Sequence, residues 1–182
     1  MNEDFNKLTE VLANGGIAVV RTDTIYGIIA RASKKRAVEK VYSVKNRDLS
    51  KQCIILIPGS GSVKEHSAQI ARFSSPDQPP TSIILPAKAD EHEWLLRGGT
   101  KLAYRVVRDE FLRKVVQAVG PVIAPSANPE GLEPARNIEE AKAYFGDLVD
   151  VYIDGGEVPE GAQASRIIEI NNDGSVTVVR AG

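Results

Sequence analysis

Apolar residues recur along the chain in two patterns, one typical of helices and one typical of strands. Apolar positions three or four residues apart predict an amphipathic helix, whereas an unbroken apolar run of about four to eight residues predicts a buried strand. The first pattern predicts helices from a cap at Asp4 to a stop at Gly15-Gly16, after Ser33 as far as Lys45, over 63–73, over 109–119, and from a cap at Asn137 through Phe145. The second predicts strands over 17–20, 53–58, 82–85, 102–107, 121–124, 149–153, 166–170 and 175–179.

The order of these elements indicates the fold class. Helices and strands alternate in the first part of the chain, while strands dominate the last part. This order is typical of an α/β domain in which helices pack on a mixed sheet. Asn172-Asp173-Gly174 lies between the last two strands and predicts a hairpin turn. Because no repeat or linker divides the chain, residues 1–182 are predicted to form one domain.

Composition favours a globular protein of a reducing compartment. The 182 residues include 23 basic and 24 acidic side chains, for a net charge of −1, and 42% of the residues are hydrophobic. These values are typical of globular proteins and remove the global attraction of a strongly basic nucleic-acid binder, although a local basic patch still suits RNA. The single cysteine forms no internal disulfide, and Cys and His are too few for a structural zinc site. We therefore expect a cytoplasmic location.

The hydropathy pattern predicts neither membrane insertion nor export. The longest apolar runs, such as 54–57, are far shorter than the roughly 18 residues that span a bilayer. The N-terminus is polar and acidic, so it lacks the basic start and apolar stretch of a signal peptide. We expect no membrane partner.

A polar segment, residues 21–27, follows the first strand. It places two hydroxyls, a carboxylate and a phenol before Gly27, which permits close backbone approach. Ligands of α/β proteins often bind at strand ends. An ordinary polar turn, in which Asp23 accepts hydrogen bonds from local amides, explains the same pattern. The residues alone leave both interpretations open.

A basic cluster of Lys45, Arg47 and Lys51 lies at the exit of the second helix. Cations stabilise the C-terminal end of a helix dipole, so a solvated charge cluster is one explanation. A phosphate or carboxylate ligand is the other, because Arg offers a planar fork of donors and Lys a point charge.

Segment 125–131 holds a hydroxyl and an amide at another strand end. The Ser126 hydroxyl, the Asn128 amide and nearby backbone N–H groups suit a phosphate without covalent catalysis, and an Asx or Ser/Thr turn is the alternative. The segment is not a GxSxG elbow, and neither His66 nor His92 shows a sign of serving Ser126 as a base. A serine hydrolase is therefore not expected.

Other polar residues interrupt apolar surroundings. Arg105 lies inside a predicted strand, where it either faces solvent or pairs with an anion, and Arg136 and Ser165-Arg166 offer the same choice. Cys53 is expected to be a small core residue. The chain lacks GxxxxGK[ST], GxGxxG, HExxH and CxxC motifs, so any nucleotide site must belong to another fold. The residues favour a small anionic ligand without identifying it.

Taken together, these segments resemble the YrdC/Sua5 family of L-threonylcarbamoyladenylate synthases in its short form. Residues 22–27 resemble the family's PTDTxYG segment, Lys45-Asn46-Arg47 its KxR, 102–107 its basic strand and 126–131 its SANxSG, and both 154–156 and 179–182 also fit. The similarity covers nearly the whole chain and stops where the long form continues into a second Sua5 domain. It implies a single YrdC-like domain: a twisted, mixed parallel and antiparallel sheet with flanking helices and a concave ligand-binding surface.

The resemblance also implies an activity. The family condenses L-threonine, bicarbonate and ATP, accompanied by Mg²⁺, into threonylcarbamoyl-AMP and pyrophosphate for N6-threonylcarbamoylation of tRNA. A threonine carbamate attacks the α-phosphate, so catalysis consists mostly of positioning anions and stabilising phosphate charge. The implied macromolecular partners are tRNA or double-stranded RNA and a downstream tRNA threonylcarbamoyl transferase.

Site residues follow by similarity. The expected catalytic residues are Lys45 and Arg47. The expected threonine pocket contains Thr22, Thr24, Tyr26 and Arg105. The expected nucleotide contacts are Lys45, Arg47, Thr81, Ser126, Asn128, Arg136 and Ser165, and no resident metal ligands are expected.

The sequence departs from the family pattern at a few positions. Arg21 replaces a proline, Arg166 stands where threonine is favoured, and Glu130 replaces the serine of SANxSG. A carboxylate beside bound phosphates is repulsive unless it faces a cation or magnesium. The alternative function is a catalytically weak YrdC-like paralogue that binds RNA or nucleotide, with the run 34–36 as a basic rim.

Overall fold

A mixed sheet with helices on both faces forms the protein, as the computed structural model of residues 3–171 and 173–182 shows. The strands among these residues are β1 Ile17–Arg21, β2 Tyr26–Arg31, β3 Ile55–Ile57, β4 Thr81–Pro86, β5 Lys101–Val106, β6 Val122–Ile123, β7 Val151–Ile153, β8 Arg166–Ile170 and β9 Val176–Arg180. The α-helices are α1 Glu3–Ala13, α2 Lys35–Lys45, α3 Ser67–Phe73, α4 Glu93–Leu96, α5 Glu110–Val119 and α6 Ile138–Phe145. Short 3₁₀ turns lie at Ser60–Ser62, Lys64–His66 and Gly146–Leu148.

The strands join in the order β7-β1-β2-β6-β3-β5-β4-β8-β9. β1 pairs parallel with β7 and antiparallel with β2. β4 likewise pairs parallel with β8 and antiparallel with β5. The predicted α/β class and mixed sheet are therefore confirmed.

The sheet separates two hydrophobic cores. Successive side chains of a strand point to opposite faces. On β1, Ile17 and Val19 accordingly pack into one core, which α2, α3 and α6 cover, while Ala18 and Val20 pack into the other, which α1 and α5 cover. This two-sided burial explains why the strands are read from the sequence as continuous apolar runs.

One helix start confirms its predicted cap at Asn137, and a second cap, which was not predicted, lies at Asp109. The Asp109 carboxylate accepts a hydrogen bond from Leu112 N at 2.7 Å at the start of α5. The Asn137 amide oxygen accepts one from Glu140 N at 2.9 Å at the start of α6. Each side-chain oxygen thus satisfies a backbone donor that has no partner within the helix.

Some predicted bounds are wrong. α1 begins at Glu3, so Asp4 lies within its first turn, where a carboxylate stabilises the helix dipole, and does not cap it. The helix predicted over 63–73 is α only from Ser67, because a 3₁₀ turn occupies Lys64–His66. The strand predicted over 149–153 starts at Val151.

β2 is not among the predicted strands, because residues 21–27 have a polar pattern that suits a binding segment or a turn, whereas only the first part turns and the chain becomes extended at Tyr26. β8 and β9 form the predicted antiparallel hairpin, although Asn172 of its turn lies outside the described residues. None of the helices in residues 3–171 and 173–182 has the length and apolar character needed to cross a bilayer.

Candidate active site

A concave cavity of about 290 Å³ opens where β1 ends, β2 begins and β6 leads into the segment 125–131. Strand ends meet there because β2 runs antiparallel to both of its neighbours. Seven of the predicted site residues line the cavity: Thr22, Thr24, Tyr26, Arg47, Arg105, Ser126 and Ser165. Lys45, Thr81, Asn128 and Arg136 do not line it.

Three arginines give the cavity its charge. Arg47, Arg105 and Arg180 line it, and none of the described residues that line it carries a carboxylate. A guanidinium group presents fixed donors that suit carboxylate and phosphate oxygens. The cavity is therefore suited to an anion.

Arg105 is buried beside a single carboxylate. Its side chain is 6% exposed, its Nε lies 3.8 Å from Asp23 Oδ2, and neither atom has a hydrogen-bond partner among the described residues. Its Nη1 donates to Thr24 Oγ1 at 3.4 Å. Burial lowers the pKa of Arg105, and Asp23 opposes that effect. Arg105 thus retains donor capacity that protein groups do not use.

Asp23 fixes the polar turn after β1. Its Oδ1 accepts hydrogen bonds from Arg108 N at 3.0 Å and Asp109 N at 2.7 Å, at the start of α5. Within the turn, Thr22 Oγ1 donates to Ile25 O at 2.7 Å. The carboxylate anticipated as a local turn cap therefore reaches a distant helix, and it holds the Thr22 and Thr24 hydroxyls at the cavity wall.

Tyr26 supports the cavity from within the core. The residue is fully buried, and its hydroxyl donates to Gly156 O at 2.8 Å and accepts from Gly155 N at 3.0 Å. Burial raises the pKa of Tyr26. The phenol is thus occupied by the segment 154–156, and the tyrosine positions that segment beside β1.

Lys45 anchors the segment 125–131 from below. It is 2% exposed, and its ammonium donates to Ser126 O at 2.5 Å, to Asn128 O and to Asn128 Oδ1 at 3.4 Å. Burial, followed by the nearby Arg47 charge, lowers the pKa of Lys45 to about 8. The contacts of this lysine are therefore with segment 125–131 itself.

Asn128 also holds the loop together. Its Nδ2 donates to Pro129 O at 3.0 Å and to Leu132 O at 2.6 Å. The Ser126 hydroxyl, in contrast, makes no hydrogen bond with any described residue, so it is available to a ligand in the cavity. Segment 125–131 therefore combines a fixed frame with one free hydroxyl.

The remaining predicted residues either make hydrogen bonds with other protein groups or lie on the surface. Thr81, 3% exposed, donates to Pro79 O at 2.8 Å. Ser165 shares a 2.9 Å hydrogen bond with Ser82, and Arg136 is exposed on the surface. Cys53 is buried as predicted, and its burial raises the pKa of the thiol.

Sequence reasoning did not identify Arg180 as a site residue. Its Nη2 and Nε donate to Ser165 O at 2.7 Å and 3.1 Å, which places the guanidinium on the cavity wall. Arg180 lies at the end of a hairpin strand whose residues are all exposed, far along the chain from the other motifs. Only the match of residues 179–182 to the family pattern pointed towards it.

The described residues offer no dedicated metal site. No group of three or more His, Cys, Asp or Glu side chains lies close enough together in residues 3–171 and 173–182 to hold an ion.

Comparison with known proteins identifies the family. A model of the Sua5/YciO/YrdC family, described as telomere recombination, matches residues 10–182. The chain belongs to this family. A threonylcarbamoyl-AMP synthase of Marinobacter nauticus is 26% identical over 163 residues, which are 86% of this chain and 85% of the relative.

Solved structures of the Sua5/YciO/YrdC family share the fold. YciO of E. coli superposes with a TM-score of 0.82 at 20% identity, covering 97% of this chain and 87% of that one. Sua5 of P. abyssi, solved with L-threonine, superposes with a TM-score of 0.80 at 24% identity. That match covers 91% of this chain and 50% of the Sua5 chain, so this chain spans half of that protein's length.

Glu130, the departure from the family's SANxSG pattern, faces a cation. Its Oε1 accepts a hydrogen bond from Lys51 Nζ, and its Oε2 accepts one from Asp48 N at 2.6 Å. These bonds lower the pKa of Glu130. The carboxylate thus joins segment 125–131 to the loop after α2, and it does not line the cavity.

Arg21 and Arg166, two other departures, are also accommodated. Arg21 Nη1 donates to Gly155 O at 2.8 Å, and a Cβ at Gly155 would lie only 2.5 Å from Arg21 Cβ. Arg166 Nε donates to Thr81 Oγ1 at 3.2 Å. Each arginine therefore connects two segments by a hydrogen bond: Arg21 contacts segment 154–156, and Arg166 contacts the start of β4.

Proposed function

We propose that this protein is an L-threonylcarbamoyladenylate synthase that produces threonylcarbamoyl-AMP for tRNA modification. The observation that carries the proposal is the cavity lined by Arg47, Arg105 and Arg180 without a carboxylate, in a chain whose relatives are named threonylcarbamoyl-AMP synthases. An anionic carbamate and a triphosphate both require such a site. The shared fold with a Sua5 solved with L-threonine supports the same conclusion.

The reaction balances without a protein nucleophile. The threonine amine and bicarbonate form a carbamate and release water. A carbamate oxygen then forms a bond to the α-phosphorus of ATP, the bond between the α-phosphorus and its bridging oxygen breaks, and pyrophosphate leaves with the electron pair. The protein's contribution is to orient the two anions and to stabilise the charge that spreads over the phosphate.

The geometry supports a division of labour within the cavity. Arg47 and the free Ser126 hydroxyl are proposed to hold the α-phosphate and carbamate. Arg105 is proposed to bind the threonine carboxylate through Nη2, which makes no hydrogen bond with any described residue, while Thr22 and Thr24 border the same pocket.

Three of the predicted residues are proposed to position other segments of the site. Lys45 and Asn128 position the phosphate loop, and Tyr26 positions the segment 154–156. Thr81, Arg136 and Ser165 remain predicted nucleotide contacts. Magnesium is proposed to arrive with ATP and to neutralise part of the phosphate charge when bound.

Pyrophosphate release from ATP tests the proposal. Purified protein is incubated with ATP, magnesium and bicarbonate, and L-threonine is compared with L-serine and with no amino acid. Release that requires both threonine and bicarbonate is expected. No release from folded protein that still binds ATP would overturn the proposal and favour the binding paralogue.

A matched pair of arginine variants connects the activity to the cavity. Arg47→Ala is expected to lower kcat/KM for ATP about ten- to a hundredfold, because a hydrogen bond from a charged group contributes about 1.5 to 3 kcal/mol. Arg113→Ala, which removes an exposed arginine of α5, is the control and should leave the rate unchanged. Equal rates for the two variants would contradict the role of Arg47.

RNA contact, the downstream transferase and the extent of the catalytic unit are proposals as well. Residues 1–182 are proposed to act as one YrdC-like domain.

Lys34, Lys35 and Arg36 are exposed at the start of α2, and Lys35 lies 3.8 Å from Glu39. Salt-dependent tRNA binding that is lost when these three cations are replaced by glutamine would support direct RNA contact. Binding that is unchanged in the triple variant would refute it.

A further inference from the structure

A second cavity of about 290 Å³ lies at the opposite end of β2 from the candidate active site. Arg31, the last residue of β2, lines it, together with Gly120-Pro121, which precedes β6. Its apolar wall consists of four residues: Ile55, Ile57, Val63 and Leu95. All four are buried, so the cavity reaches the hydrophobic core.

Two polar side chains of this cavity lack partners. Tyr104 is 5% exposed, and its hydroxyl makes no hydrogen bond with any described residue. The hydroxyl oxygen is not enclosed by protein atoms, so it faces the open space of the cavity. The Arg31 guanidinium likewise makes no hydrogen bond or ion pair within residues 3–171 and 173–182. Both groups therefore have donors to offer to a ligand.

The rim also carries the opposite charge. Glu91 lines the cavity near Tyr104, whose pKa burial raises to about 12, with Glu91 adding to the effect. The phenol consequently stays protonated and acts as a donor. Lys88, the other cation of the rim, lies 4.0 Å from Glu65, which leaves Arg31 as the unpaired cation there among the described residues.

We propose that this second cavity binds a small aliphatic amino acid. Arg31 and the Tyr104 hydroxyl receive its carboxylate, Glu91 receives its ammonium group, and the apolar wall receives its hydrocarbon side chain. A monovalent anion with the same hydrocarbon would leave Glu91 without a partner in the cavity, and a monovalent cation would leave Arg31 without one. The volume lies near the lower end of the range for small-molecule pockets, about 300 Å³.

The two cavities lie on opposite faces of the same strand. On β5, Tyr104 belongs to the core under α2 and α3, whereas the next residue, Arg105, lines the candidate active site. The chain around β3 also contributes to both cavities, since Cys53 and Ile54, which precede the strand, line the first cavity and Ile55 and Ile57 of β3 line the second. The proposed site is therefore distinct from the synthase site.

Trp94 provides a built-in reporter of occupancy. It is the one tryptophan of the chain, and its ring stacks on His92, a residue of the second cavity, with ring centroids 4.1 Å apart. Its Nε1 donates to the carbonyl of Ala32, which also lines the cavity. Binding there should therefore change the fluorescence of Trp94.

The test is a fluorescence titration of the full chain with L-leucine, 4-methylpentanoate and 3-methylbutylamine, which share a branched hydrocarbon and differ in charge. Saturable binding of L-leucine at millimolar concentration, at least about tenfold tighter than binding of either analogue, is expected because each lost charge pair removes a charge-assisted contact. No saturable change with L-leucine, or equal binding of the three probes, would overturn the proposal.

Variants locate the binding. Arg31→Gln should weaken L-leucine binding about tenfold or more, and Tyr104→Phe about three- to tenfold, because they remove a charged and a neutral hydrogen bond respectively. Both variants remove groups without protein partners, so folding should be preserved, which circular dichroism checks. Arg47→Ala, in the first cavity, should leave the titration unchanged, and an effect as large as that of Arg31→Gln would refute a separate site. Because the titration contains no ATP, its failure is distinguishable from failure of the synthase proposal.

Discussion

Replacing Lys45 with methionine tests whether this residue supports the phosphate loop or touches the phosphate itself. The variant keeps an unbranched apolar side chain that is one atom shorter and removes the ammonium donors. Asn128 O then loses its hydrogen bond, while Ser126 O keeps a second donor, Asn128 N, at 3.0 Å. One orphaned buried carbonyl costs about 1 to 3 kcal/mol, and relief of the desolvated charge offsets part of that cost. We therefore expect the free energy of unfolding to fall by about 1 to 2 kcal/mol at neutral pH.

Urea unfolding and pyrophosphate release, measured on the same samples, separate the two roles. If Lys45 positions the loop, both stability and kcat/KM for ATP should fall, because the Ser126 hydroxyl is no longer held in place. Lys35→Met, on the exposed start of the same helix, is the control and should change neither quantity. A Lys45→Met variant with full stability and lost activity would refute the supporting role and assign Lys45 to direct phosphate contact.

Other predictions concern pH and the segment beside β1. Because the folded protein lowers the pKa of Lys45 from 10.5 to about 8, the unfolded chain binds more protons between these values. The free energy of unfolding should accordingly rise with pH across this window by up to about 1.4 kcal/mol per pH unit, and urea titrations of Lys45→Met should lack that rise. Tyr26→Phe leaves the Gly155 N–H without its acceptor and should cost about 1 to 3 kcal/mol by urea unfolding, whereas Tyr144→Phe, at a surface hydroxyl, should cost less. Gly155→Ala places a methyl group 2.5 Å from Arg21 Cβ, and this overpacking should lower the free energy of unfolding by about 1 to 3 kcal/mol. Thermal unfolding should therefore show a lower midpoint, and an unchanged midpoint would contradict that contact.

Local signals in the sequence predicted most of the fold. Asn137 was identifiable as a cap because its partner, Glu140, lies three residues ahead, within the reach of a single turn, whereas for 109–119 the helix was predicted but the cap at Asp109 was not. β2 was missed because Tyr26-Gly27 carries both the end of a polar turn and the start of a strand, and the apolar run that follows is short. Its pairing with β1 and β6 decides its conformation, and such long-range pairing leaves no local mark.

The sequence predicted which residues belong to the candidate site better than it predicted which groups those residues contact. The motifs at 22–27, 45–47 and 126–131 do converge on one cavity. The direction in which each side chain points depends on distant partners: Lys45 turns beneath the loop, and Glu130 meets Lys51 across 79 positions of sequence. Arg180 escaped notice because an arginine on an exposed strand is ordinary until the sheet places it beside Ser165.

The cavity has three arginines and no carboxylate among its described lining residues, and this composition links the stability of the protein to the anions that bind there. Burial lowers the pKa of Arg105, Asp23 opposes that effect, and the neighbouring Arg180 charge adds to it, so a bound anion would relieve repulsion between the guanidinium groups. A ligand that binds only the folded protein stabilises it by an amount that grows with ligand concentration. Under the proposed function, the fraction of folded protein in a cell, and hence its resistance to proteases, should follow the supply of nucleotide. In the laboratory, the anion chosen for the storage buffer becomes a determinant of how long the protein lasts.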